Sequence, residues 1–475
     1  MNMPIQAQTA LPLSQVLVNQ RTHYLADPSP SYEARIEHLK SLKKAILSYQ
    51  EQLVQALNRD YGHRSVDDSI ISDIMPCVNN INYSIKHLKK WMKPSRRHAG
   101  LLLAPASIKV QYQPLGVVGI IVPWNFPIML SVGPLITALA AGNRAMIKLS
   151  EFTPETNTVL TAMLASIFDQ NHVACIEGEA DVAAEFSSLP FDHLLFTGST
   201  TVGRHVMRSA AQHLTPVTLE LGGKSPVIVA DDIDMDTAVE RMIYGKCLNS
   251  GQICVAPDYV LVPSEKLNDF VRAYKRKFIK MYGQVSDNKD YGSIINQRQF
   301  DRIMLVLEDA KAKGATVMSA NDEAINIEHQ KVPTQLITDA TDDMLLLQDE
   351  IFGPLLPVIP YNNLQEAISY INQRPRPLAL YLMSFDKNTQ QQVMTHTHSG
   401  GVCINETVFH VAAEDAPFGG VGPSGMGHYH GKEGFQTFSH AKTILKRGKY
   451  FNTGKLIHPP YGGWLQTLLV KFFLR

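Results

Sequence analysis

The sequence has few features of a protein built for an oxidising compartment. Its 475 residues include five cysteines, an odd number with no CxxC spacing. This pattern argues against a disulfide framework and against a zinc site. Residues 1–20 lack a charged stretch followed by an apolar one, so a secretory signal is not expected. We therefore expect a cytoplasmic protein without a metal site.

Net charge and long apolar runs are also missing. Lysine plus arginine number 44, and aspartate plus glutamate number 44 as well. Neither nucleic acid nor an anionic membrane is therefore expected as the main partner. No apolar run reaches the ~20 residues that cross a bilayer. At 475 residues the chain is too long for one hydrophobic core, so two or three domains are expected.

Helical periodicity dominates the first hundred residues. The first twenty-odd residues are polar and mixed, and we expect them to be loosely ordered. From residue 31 to residue 57, apolar residues recur at three- and four-residue steps and predict a helix, with a break near Ser48 and Tyr49. A second helix is predicted from about Asp68 to Trp91. Neither helix contains a pattern of residues that indicates a catalytic or binding site.

Short apolar runs then alternate with helical patterns. A half-buried strand over residues 108–112 precedes a fully buried strand over residues 116–122 and an apolar helix that ends at Gly142. Further strands are predicted at residues 144–149, 173–176, 193–197, 217–219 and 227–230. This alternation predicts a doubly wound parallel α/β sheet. The pattern continues beyond Asp231 and predicts a second α/β domain.

Two residues in this pattern suit covalent catalysis. Cys254 stands in a small-residue turn between a predicted helix over residues 235–249 and a predicted strand over residues 259–262. Glu220 ends a predicted strand beside two glycines, where backbone can approach a ligand closely. A thiol nucleophile with a separate carboxylate base indicates an acyl intermediate. The alternative is a buried cysteine and a surface glutamate.

Polar or glycine-rich turns follow three predicted strands. Gly198 to Gly203 open a helix whose N–H groups suit a phosphate, although a plain tight turn is the alternative. Lys148 and Glu151 follow another strand, either as ligand-binding residues or as a solvated pair. Asn125 follows a third, and its amide can donate to an oxyanion or cap its own turn. In a doubly wound sheet these turns face one crevice.

Together these stretches resemble the aldehyde dehydrogenase superfamily. The matching stretches are Asn125 in Pro-Trp-Asn-Phe-Pro, Lys148, the Gly198 to Gly203 turn, Glu220 in Glu-Leu-Gly-Gly-Lys-Ser-Pro, Cys254 in Gly-Gln-Ile-Cys, Glu350 in Glu-Ile-Phe-Gly-Pro, and Pro417-Phe418-Gly419-Gly420. They occur in that family's order between residues 36 and 440. Residues 255–259 and 424–432 resemble its class 3 branch, and the length and tail resemble the bacterial coniferyl aldehyde dehydrogenases within that branch.

The resemblance implies a site and a reaction. Cys254 would attack an aldehyde, Asn125 and the Cys254 N–H would stabilise the oxyanion, and Glu220 would activate water to release the acid. A nicotinamide cofactor would be held by Trp124, Lys148, Glu151, Gly198, Ser199, Gly203, Leu221, Glu350 and Phe352. We expect NAD rather than NADP, because a carboxylate at Glu151 repels a 2′-phosphate. Local dipoles and the cofactor are expected to activate the thiol.

Three rival functions are less consistent with these residues. An acylating dehydrogenase would pass the thioester to coenzyme A, and Glu220 as a hydrolytic base argues against it. A thiol hydrolase without cofactor would leave Lys148, Glu151 and the glycine turn unexplained. A non-catalytic structural relative would be expected to lose Cys254 or Glu220, and both are present.

The same resemblance implies domains and an assembly. Residues 1–107 and 117–226 would form the NAD-binding domain, residues 227–430 the catalytic domain, residues 108–116 and 431–450 an oligomerisation element, and residues 451–475 a tail. Strands near residues 108–112 and 435–440 would contact a second subunit, so a homodimer is expected. The apolar tail, residues 464–475, favours a helix docked on its own protein or on a partner subunit over an interfacial membrane anchor.

Apolar residues near the predicted site indicate the substrate class. Trp124, Phe126, Met129 and Phe409 suggest a hydrophobic entrance, although core packing explains them equally well. A hydrophobic aldehyde is expected, either aromatic, such as coniferaldehyde, or aliphatic of medium to long chain.

Overall fold

The computed structural model describes residues 11–450 and 453–474. The described residues form sixteen strands: β1 (Ser95–Arg97), β2 (Ser107–Pro114), β3 (Val117–Ile121), β4 (Arg144–Lys148), β5 (Val173–Ile176), β6 (His193–Gly198), β7 (Val217–Leu221), β8 (Pro226–Val229), β9 (Tyr259–Pro263), β10 (Thr316–Ser319), β11 (Gln335–Thr338), β12 (Leu355–Tyr361), β13 (Ala379–Met383), β14 (Gly401–Ile404), β15 (Gly425–Met426) and β16 (Ser439–Lys446).

Seventeen α-helices accompany these strands in the described part of the chain. They are α1 (Leu13–Ala26), α2 (Tyr32–Asp60), α3 (Val66–Ser69), α4 (Met75–Trp91), α5 (Gly100–Leu103), α6 (Pro127–Ala141), α7 (Pro154–Ala165), α8 (Ala180–Ser187), α9 (Thr200–Ala211), α10 (Met235–Cys247), α11 (Leu267–Tyr282), α12 (Gln297–Ala312), α13 (Leu345–Gln348), α14 (Leu364–Asn372), α15 (Lys387–His396), α16 (Gly431–Thr437) and α17 (Trp464–Phe473). A π-helical turn, Ile70–Ile74, joins α3 to α4.

The first sheet confirms the predicted doubly wound architecture. Its strand order is β15-β7-β6-β3-β4-β5, and all neighbours are parallel except β15. Both faces are covered, since Val118 and Ile120 of β3 join one hydrophobic cluster while Val117 and Ile121 join another. The order of the strands along the chain reverses between β3 and β6, and ligands bind beyond such a switch point. Asn125 follows β3, and Gly198 is the last residue of β6.

A second α/β sheet carries the segment with Cys254. Its order is β10-β11-β12-β9-β8-β13-β14, with β10 antiparallel and the other strands parallel. Val227 and Val229 of β8 pack on one face and Ile228 on the other. This alternation explains why β8 reads as a continuous apolar run in the sequence. Cys254 lies between α10 and β9.

The third sheet is small and antiparallel, in the order β1-β2-β16. The prediction of an edge strand over residues 435–440 was wrong at its start, because α16 occupies this stretch and β16 begins at Ser439. Phe435 and Phe438 are 2% and 0% exposed. Their three-residue spacing places both side chains on one side of a helical turn. In a strand the same spacing would place them on opposite faces.

Two expectations for the N-terminal part were also wrong. Residues 13–26 form α1 rather than a loose segment, and the buried Gln20 donates to the carbonyls of Ala145 and Gln170 at 3.0 and 2.9 Å. Residues 1–10 lie outside the described residues. Helix α2 runs unbroken through Ser48, whose hydroxyl bonds the Lys44 carbonyl of its own helix at 2.9 Å.

The tail forms a short helix, as predicted, but the described part of the chain covers it little. No residue of α17 is buried. In the described part of the chain, none of the helices combines the length and apolar character needed to cross a membrane.

Candidate active site

Cys254 lies in a loop whose backbone has an unusual conformation. The turn after α10 places Asn249 at φ 50° and Ser250 at φ 53°. Each residue other than glycine in this left-handed region costs about 1–3 kcal/mol. Gln252 fixes the loop, because its Nε2 donates to the Asn249 carbonyl at 2.9 Å and to the Ser293 carbonyl at 3.1 Å. The loop presents Cys254 as a half-buried free thiol.

Asn125, which follows β3, contacts the same loop. Its side chain is 3% exposed, and Nδ2 donates to the Gln252 carbonyl at 3.1 Å. In return, Nδ2 of Asn249 donates to the Asn125 carbonyl at 3.2 Å. A side-chain amide has two N–H donors, so a second donor is left for an oxyanion. The structure thus brings the Asn125 amide to the loop of Cys254.

A buried ion pair, which the sequence analysis missed, holds Asn125. Arg64 donates from Nη1 to the Asn125 carbonyl at 2.8 Å, and its Nη2 lies 2.7 Å from Asp73 Oδ2. The other Asp73 oxygen accepts from the first free N–H groups of α6, at 3.0 and 3.2 Å. Phe126, the residue before α6, has no side-chain oxygen that could cap the helix. The missing cap was the only feature of the sequence that indicated a distant carboxylate at this helix start.

Glu220 is buried near the end of β7 without a hydrogen-bond partner. Its side chain is 4% exposed, and neither carboxylate oxygen has a partner among the residues that the structure describes. Burial raises the pKa of this carboxyl well above its usual range. Thr197, its neighbour in register on β6, also has a buried hydroxyl without a partner. Because unpaired buried polar groups are costly, these two mark a place for ligand or water.

The thiol shares this region with two carboxylates. Burial, and then the nearby carboxylates of Glu350 and Glu220, raises the pKa of the Cys254 thiol to about 12. The backbone N–H groups of Cys254 and Val255 act in the opposite direction and favour the thiolate. The thiolate is the reactive form. Activation by these dipoles together with a cofactor stays a prediction.

Lys148 ends β4 and is not the solvated residue of the alternative interpretation. Its side chain is 2% exposed, and Nζ donates to the Leu149 carbonyl at 2.6 Å and lies 3.8 Å from Glu151 Oε2. Burial lowers the pKa of Lys148, while Glu151 opposes that shift. The Glu151 side chain is 31% exposed and can therefore reach a ligand.

The glycine turn opens helix α9 at the same edge of the first sheet. Gly198 ends β6, and the Ser199 hydroxyl accepts from the Val202 N–H at 3.4 Å as the helix cap. At Gly203 a Cβ would lie 2.7 Å from Leu221 Cδ2, so glycine allows the helix to pack closely on β7. The start of α9 is therefore positioned at the switch point, where its dipole suits a phosphate.

Glu350 and Phe352 come from the second sheet and reach the first. At Gly222, just after β7, a Cβ would lie 2.0 Å from Glu350 Oε2, so the carboxylate packs on the glycine backbone. Burial, and then the charge of Asp258, raises the pKa of Glu350 to about 8. The Phe352 ring meets Trp124 edge-on, with ring centroids 5.3 Å apart. These contacts bridge the crevice between the two sheets.

Asp258 and Lys224, to which the sequence analysis gave no role, fasten the Glu350 loop. Asp258 is 3% exposed, pairs with Lys224, and accepts from the Ile351 N–H at 2.9 Å. Lys224 also donates to the Asp349 carbonyl at 2.9 Å. Asp258 directly precedes the buried strand β9, and Lys224 stands two residues before the buried strand β8. That position was their only signal in the sequence.

The predicted apolar entrance is only partly observed. Phe126 and Met129 are 9% and 8% exposed and belong to the main core, which favours their structural interpretation. Trp124 is half-buried, and Phe409 is exposed and stacks on Tyr244 with centroids 6.1 Å apart.

Fold and site together define an oxidoreductase in which a cysteine nucleophile lies beside a dinucleotide-binding sheet. The chain belongs to the aldehyde dehydrogenase family, whose model matches residues 28–444. It is 54% identical over 463 residues to a Pseudomonas aeruginosa protein named "Probable coniferyl aldehyde dehydrogenase", covering 98% of this chain and 96% of that protein.

Solved structures agree with this assignment. A substrate-bound Staphylococcus aureus AldH superposes with a TM-score of 0.92 at 37% identity, covering 98% of this chain and 100% of that one. A Mycobacterium tuberculosis aldehyde dehydrogenase complexed with NAD⁺ has a TM-score of 0.82 at 27% identity, covering 92% and 90% of the two chains. The fold is thus that of an enzyme family that uses a nicotinamide cofactor.

Proposed function

We propose that this chain oxidises a hydrophobic aldehyde to the carboxylic acid without coenzyme A. The substrate is an aromatic aldehyde, such as coniferaldehyde, or an aliphatic one of medium to long chain. The observation that carries the proposal is the buried, unpaired Glu220 close enough to Cys254 to raise the pKa of its thiol. The Pseudomonas aeruginosa relative and the half-buried Trp124 favour the aromatic class.

Cys254 carries the first half of the reaction. Its thiol gives up a proton to ionised Glu220, directly or through a water, and Glu220 releases that proton to solvent before the second half. The thiolate sulfur bonds to the aldehyde carbon. The resulting oxyanion accepts hydrogen bonds from Asn125 Nδ2 and from the Cys254 N–H. A nicotinamide cofactor, when bound, supplies the acceptor for the hydride of that carbon. Cys254 is then left as a thioester.

Glu220 carries the second half. Ionised again, its carboxylate takes a proton from a water molecule, which attacks the thioester carbon. The C–S bond then breaks, which releases the acid and leaves the sulfur of Cys254 as a thiolate. The oxygens of Glu220 suit this role because no described residue occupies them. Burial raises the pKa of Glu220, which makes it a stronger base than an exposed carboxylate.

The strand ends fit a dinucleotide. Lys148 and Glu151 would hold the adenosine ribose, and the α9 N-terminus the pyrophosphate. The remaining proposed contacts are Trp124, Leu221, Glu350 and Phe352, with Glu350 on the nicotinamide ribose. Two observations support this assignment. The buried Thr197 hydroxyl has no hydrogen-bond partner among the described residues, and Glu350 packs directly on the backbone of Gly222. We expect a preference for NAD over NADP, because Glu151 would accept from a ribose 2′-OH and repel a 2′-phosphate.

The test measures NADH formation by absorbance with coniferaldehyde, hexanal and decanal, each with and without coenzyme A. Wild type should turn over without coenzyme A, and Cys254→Ala should not. A strict requirement for coenzyme A would instead make the enzyme an acylating dehydrogenase. Bound NAD without turnover of any aldehyde would favour a non-catalytic relative. The ranking of the three aldehydes decides between aromatic and aliphatic substrates.

We further propose the domain division and the assembly that the resemblance implies. Residues 1–107 and 117–226 would bind NAD, residues 227–430 would carry the catalytic cysteine, and residues 108–116 and 431–450 would contact a second subunit. The separate sheet of β1, β2 and β16 supports the last of these. A homodimer in light scattering is the expected result, and a monomer would contradict it. A cytoplasmic location also stays a prediction.

A further inference from the structure

A cavity of about 500 Å³ lies outside the crevice between the two large sheets. Its walls come from residues 61–63 after α2, from residues between 286 and 296 before α12, and from residues 328–331 before β11. Sites for small molecules commonly have volumes of about 300–1,000 Å³. None of the described residues that line this cavity belongs to the proposed catalytic or cofactor sites. We name it the loop cavity.

The loop cavity contains a buried hydroxyl without a partner. Ser293 is 1% exposed, and its Oγ forms no hydrogen bond with any residue that the structure describes. The backbone of Ser293 is held in place, because its N–H donates to the His63 carbonyl at 2.9 Å. An unpaired buried hydroxyl is costly, and most such groups in folded proteins have a partner. The Ser293 hydroxyl is therefore available to a ligand.

A buried cation lines the same cavity. Lys331 is 4% exposed, and its Nζ donates to the carbonyl of Asn288, which also lines the cavity, at 2.7 Å. Within the described part of the chain, no carboxylate oxygen lies within 4 Å of this ammonium. Burial lowers the pKa of Lys331, while the charges of Asp287 and Glu323 oppose that shift. A buried charge is costly unless it is paired, and two N–H donors of this ammonium remain for an anion.

The nearest acidic groups do not neutralise this cation. Glu323 accepts hydrogen bonds from the N–H groups of Val285 and Ser286, at 2.6 and 3.0 Å. The rim carries exposed charges of both signs, which water and salt screen. These residues are Asp287, Lys289 and Glu328. The buried part of the cavity thus determines the sign of a ligand, and it favours an anion.

Apolar surface beside these polar groups favours an organic anion. Ile295 and Tyr61 are 4% and 2% exposed, and both line the cavity. The Tyr61 hydroxyl donates to the Asn125 carbonyl at 3.1 Å, so its ring is the part that remains for the cavity. An inorganic ion would leave this surface and most of the volume unused. A carboxylate on a small apolar body would use both.

The wall of the loop cavity is held by the residues that support the Cys254 loop. Gln252 donates from Nε2 to the Ser293 carbonyl at 3.1 Å, and its Oε1 accepts from the Ile295 N–H at 3.1 Å. The Ser250 hydroxyl donates to the Gly292 carbonyl at 2.5 Å. A wall fixed in this way loses little conformational freedom when a ligand binds, which favours affinity.

We propose that the loop cavity binds a small organic carboxylate, whose oxygens accept hydrogen bonds from Ser293 Oγ and from the Lys331 ammonium. The apolar part of this ligand lies against Ile295 and the ring of Tyr61. The ligand is held apart from the aldehyde and the cofactor, so it binds whether or not either of them is present.

The experiment is isothermal titration calorimetry of the full-length enzyme with benzoate. Benzamide, its neutral isostere, is the control for charge, and inorganic phosphate is the control for the apolar part. We expect one benzoate per chain and at least tenfold weaker binding of both controls. Saturating NAD or coniferaldehyde, added separately so that no turnover occurs, should leave the Kd for benzoate unchanged.

Two variants test the assigned contacts. Ser293→Ala should weaken benzoate binding at least fivefold without lowering the melting temperature, because the hydroxyl has no partner in the described part of the protein. Lys331→Met, which keeps the length of the side chain, should weaken binding at least tenfold. Ser225→Ala is the matched control, because Ser225 is also buried with an unpaired hydroxyl but does not line the cavity. It should bind benzoate like wild type.

Several results would overturn the proposal. They are no binding of benzoate by wild type, equal binding of benzamide or of phosphate, and unchanged binding in Ser293→Ala. Displacement of benzoate by NAD or coniferaldehyde would also overturn it, because benzoate would then occupy the catalytic crevice. Equal weakening in Ser225→Ala and Ser293→Ala would refute the contact with Ser293, since the effect would not depend on the cavity.

Discussion

Replacing Arg64 with lysine removes the planar group that joins Asn125 to the start of α6. Arg64 uses two nitrogens, at 2.8 Å from the Asn125 carbonyl and 2.7 Å from Asp73, and its side chain is 1% exposed. Lysine has one nitrogen and therefore keeps one of these two bonds. A hydrogen bond to a charged group contributes about 1.5–3 kcal/mol. At about 2–4 °C per kcal/mol for a unit of 150–250 residues, the apparent melting temperature should fall by about 3–12 °C.

The same change should also affect catalysis. Without the Arg64 contact, the Asn125 amide is less firmly positioned, and we expect kcat to fall about tenfold, which corresponds to about 1.4 kcal/mol. KM for NAD should stay near the wild-type value, because Arg64 forms no hydrogen bond or ion pair with a residue that is proposed to hold the cofactor. Thermal melts and initial rates measure both effects.

Arg59→Lys is the matched control for this prediction. Arg59 pairs with Glu155 at 3.0 Å on the surface, where the two side chains are 53% and 54% exposed. Exposed pairs contribute little, and surface substitutions stay within about 0.5 kcal/mol, or about 2 °C. Equal melting shifts in the two variants, or an unchanged kcat in Arg64→Lys, would refute the reasoning.

Three further predictions concern the proposed roles. Gly222→Ala should raise KM for NAD at least tenfold, because its Cβ must displace Glu350. Gly448→Ala is the control and should leave KM unchanged, because a Cβ there meets no atom within 4 Å. Equal effects of the two substitutions would contradict the role given to the packing of Glu350 on Gly222. Because the pKa of Glu220 is raised and the base must be ionised, deacylation should become faster with rising pH well above the usual carboxyl range. Glu220→Gln should remove this rise and leave an acyl group on Cys254 detectable by mass spectrometry, and an unaltered pH profile would assign the base elsewhere. Glu151→Gln should raise the ratio of kcat/KM for NADP over NAD at least tenfold, and an unchanged ratio would disprove its part in selecting the cofactor.

The periodic parts of the fold could be predicted from the sequence. The buried strand β3 reads as an unbroken β-branched run, and Gly142, at φ 92°, ends α6 as its position indicated. Strand and helix alternation then determined the sheet, and with it the common edge that Asn125, Lys148 and Gly198 share. These features depend on local pattern and on general rules of topology.

The supports of the site could not be predicted in this way. Arg64 and Asp73 read as ordinary surface charges, because their burial results from packing against α6, far along the chain. Asp258 and Lys224 meet across 34 positions of sequence. A contact between distant side chains leaves no periodic signal, and only the uncapped start of α6 hinted at one of them.

The sequence did not predict two short helices, because their apolar residues do not recur with a clear helical period. Helix α1 buries Val16, Leu17 and Gln20, and the buried polar residue obscured its apolar face. At α16, Phe435 near the end of a seven-residue helix and Phe438 just after it resembled a strand. Both elements owe their stability to the surfaces they pack on rather than to intrinsic propensity.

The left-handed backbone of Asn249 and Ser250 links the stability of the enzyme to its catalytic rate. Strain at these two residues lowers stability in every molecule, whether or not an aldehyde is bound. The same conformation holds the Cys254 loop and the Asn125 amide in their relative positions before the substrate binds. Less reorganisation is then required during the reaction itself, which is where a preorganised polar site lowers the barrier. Relaxing the turn would thus yield a more stable protein that is a slower catalyst.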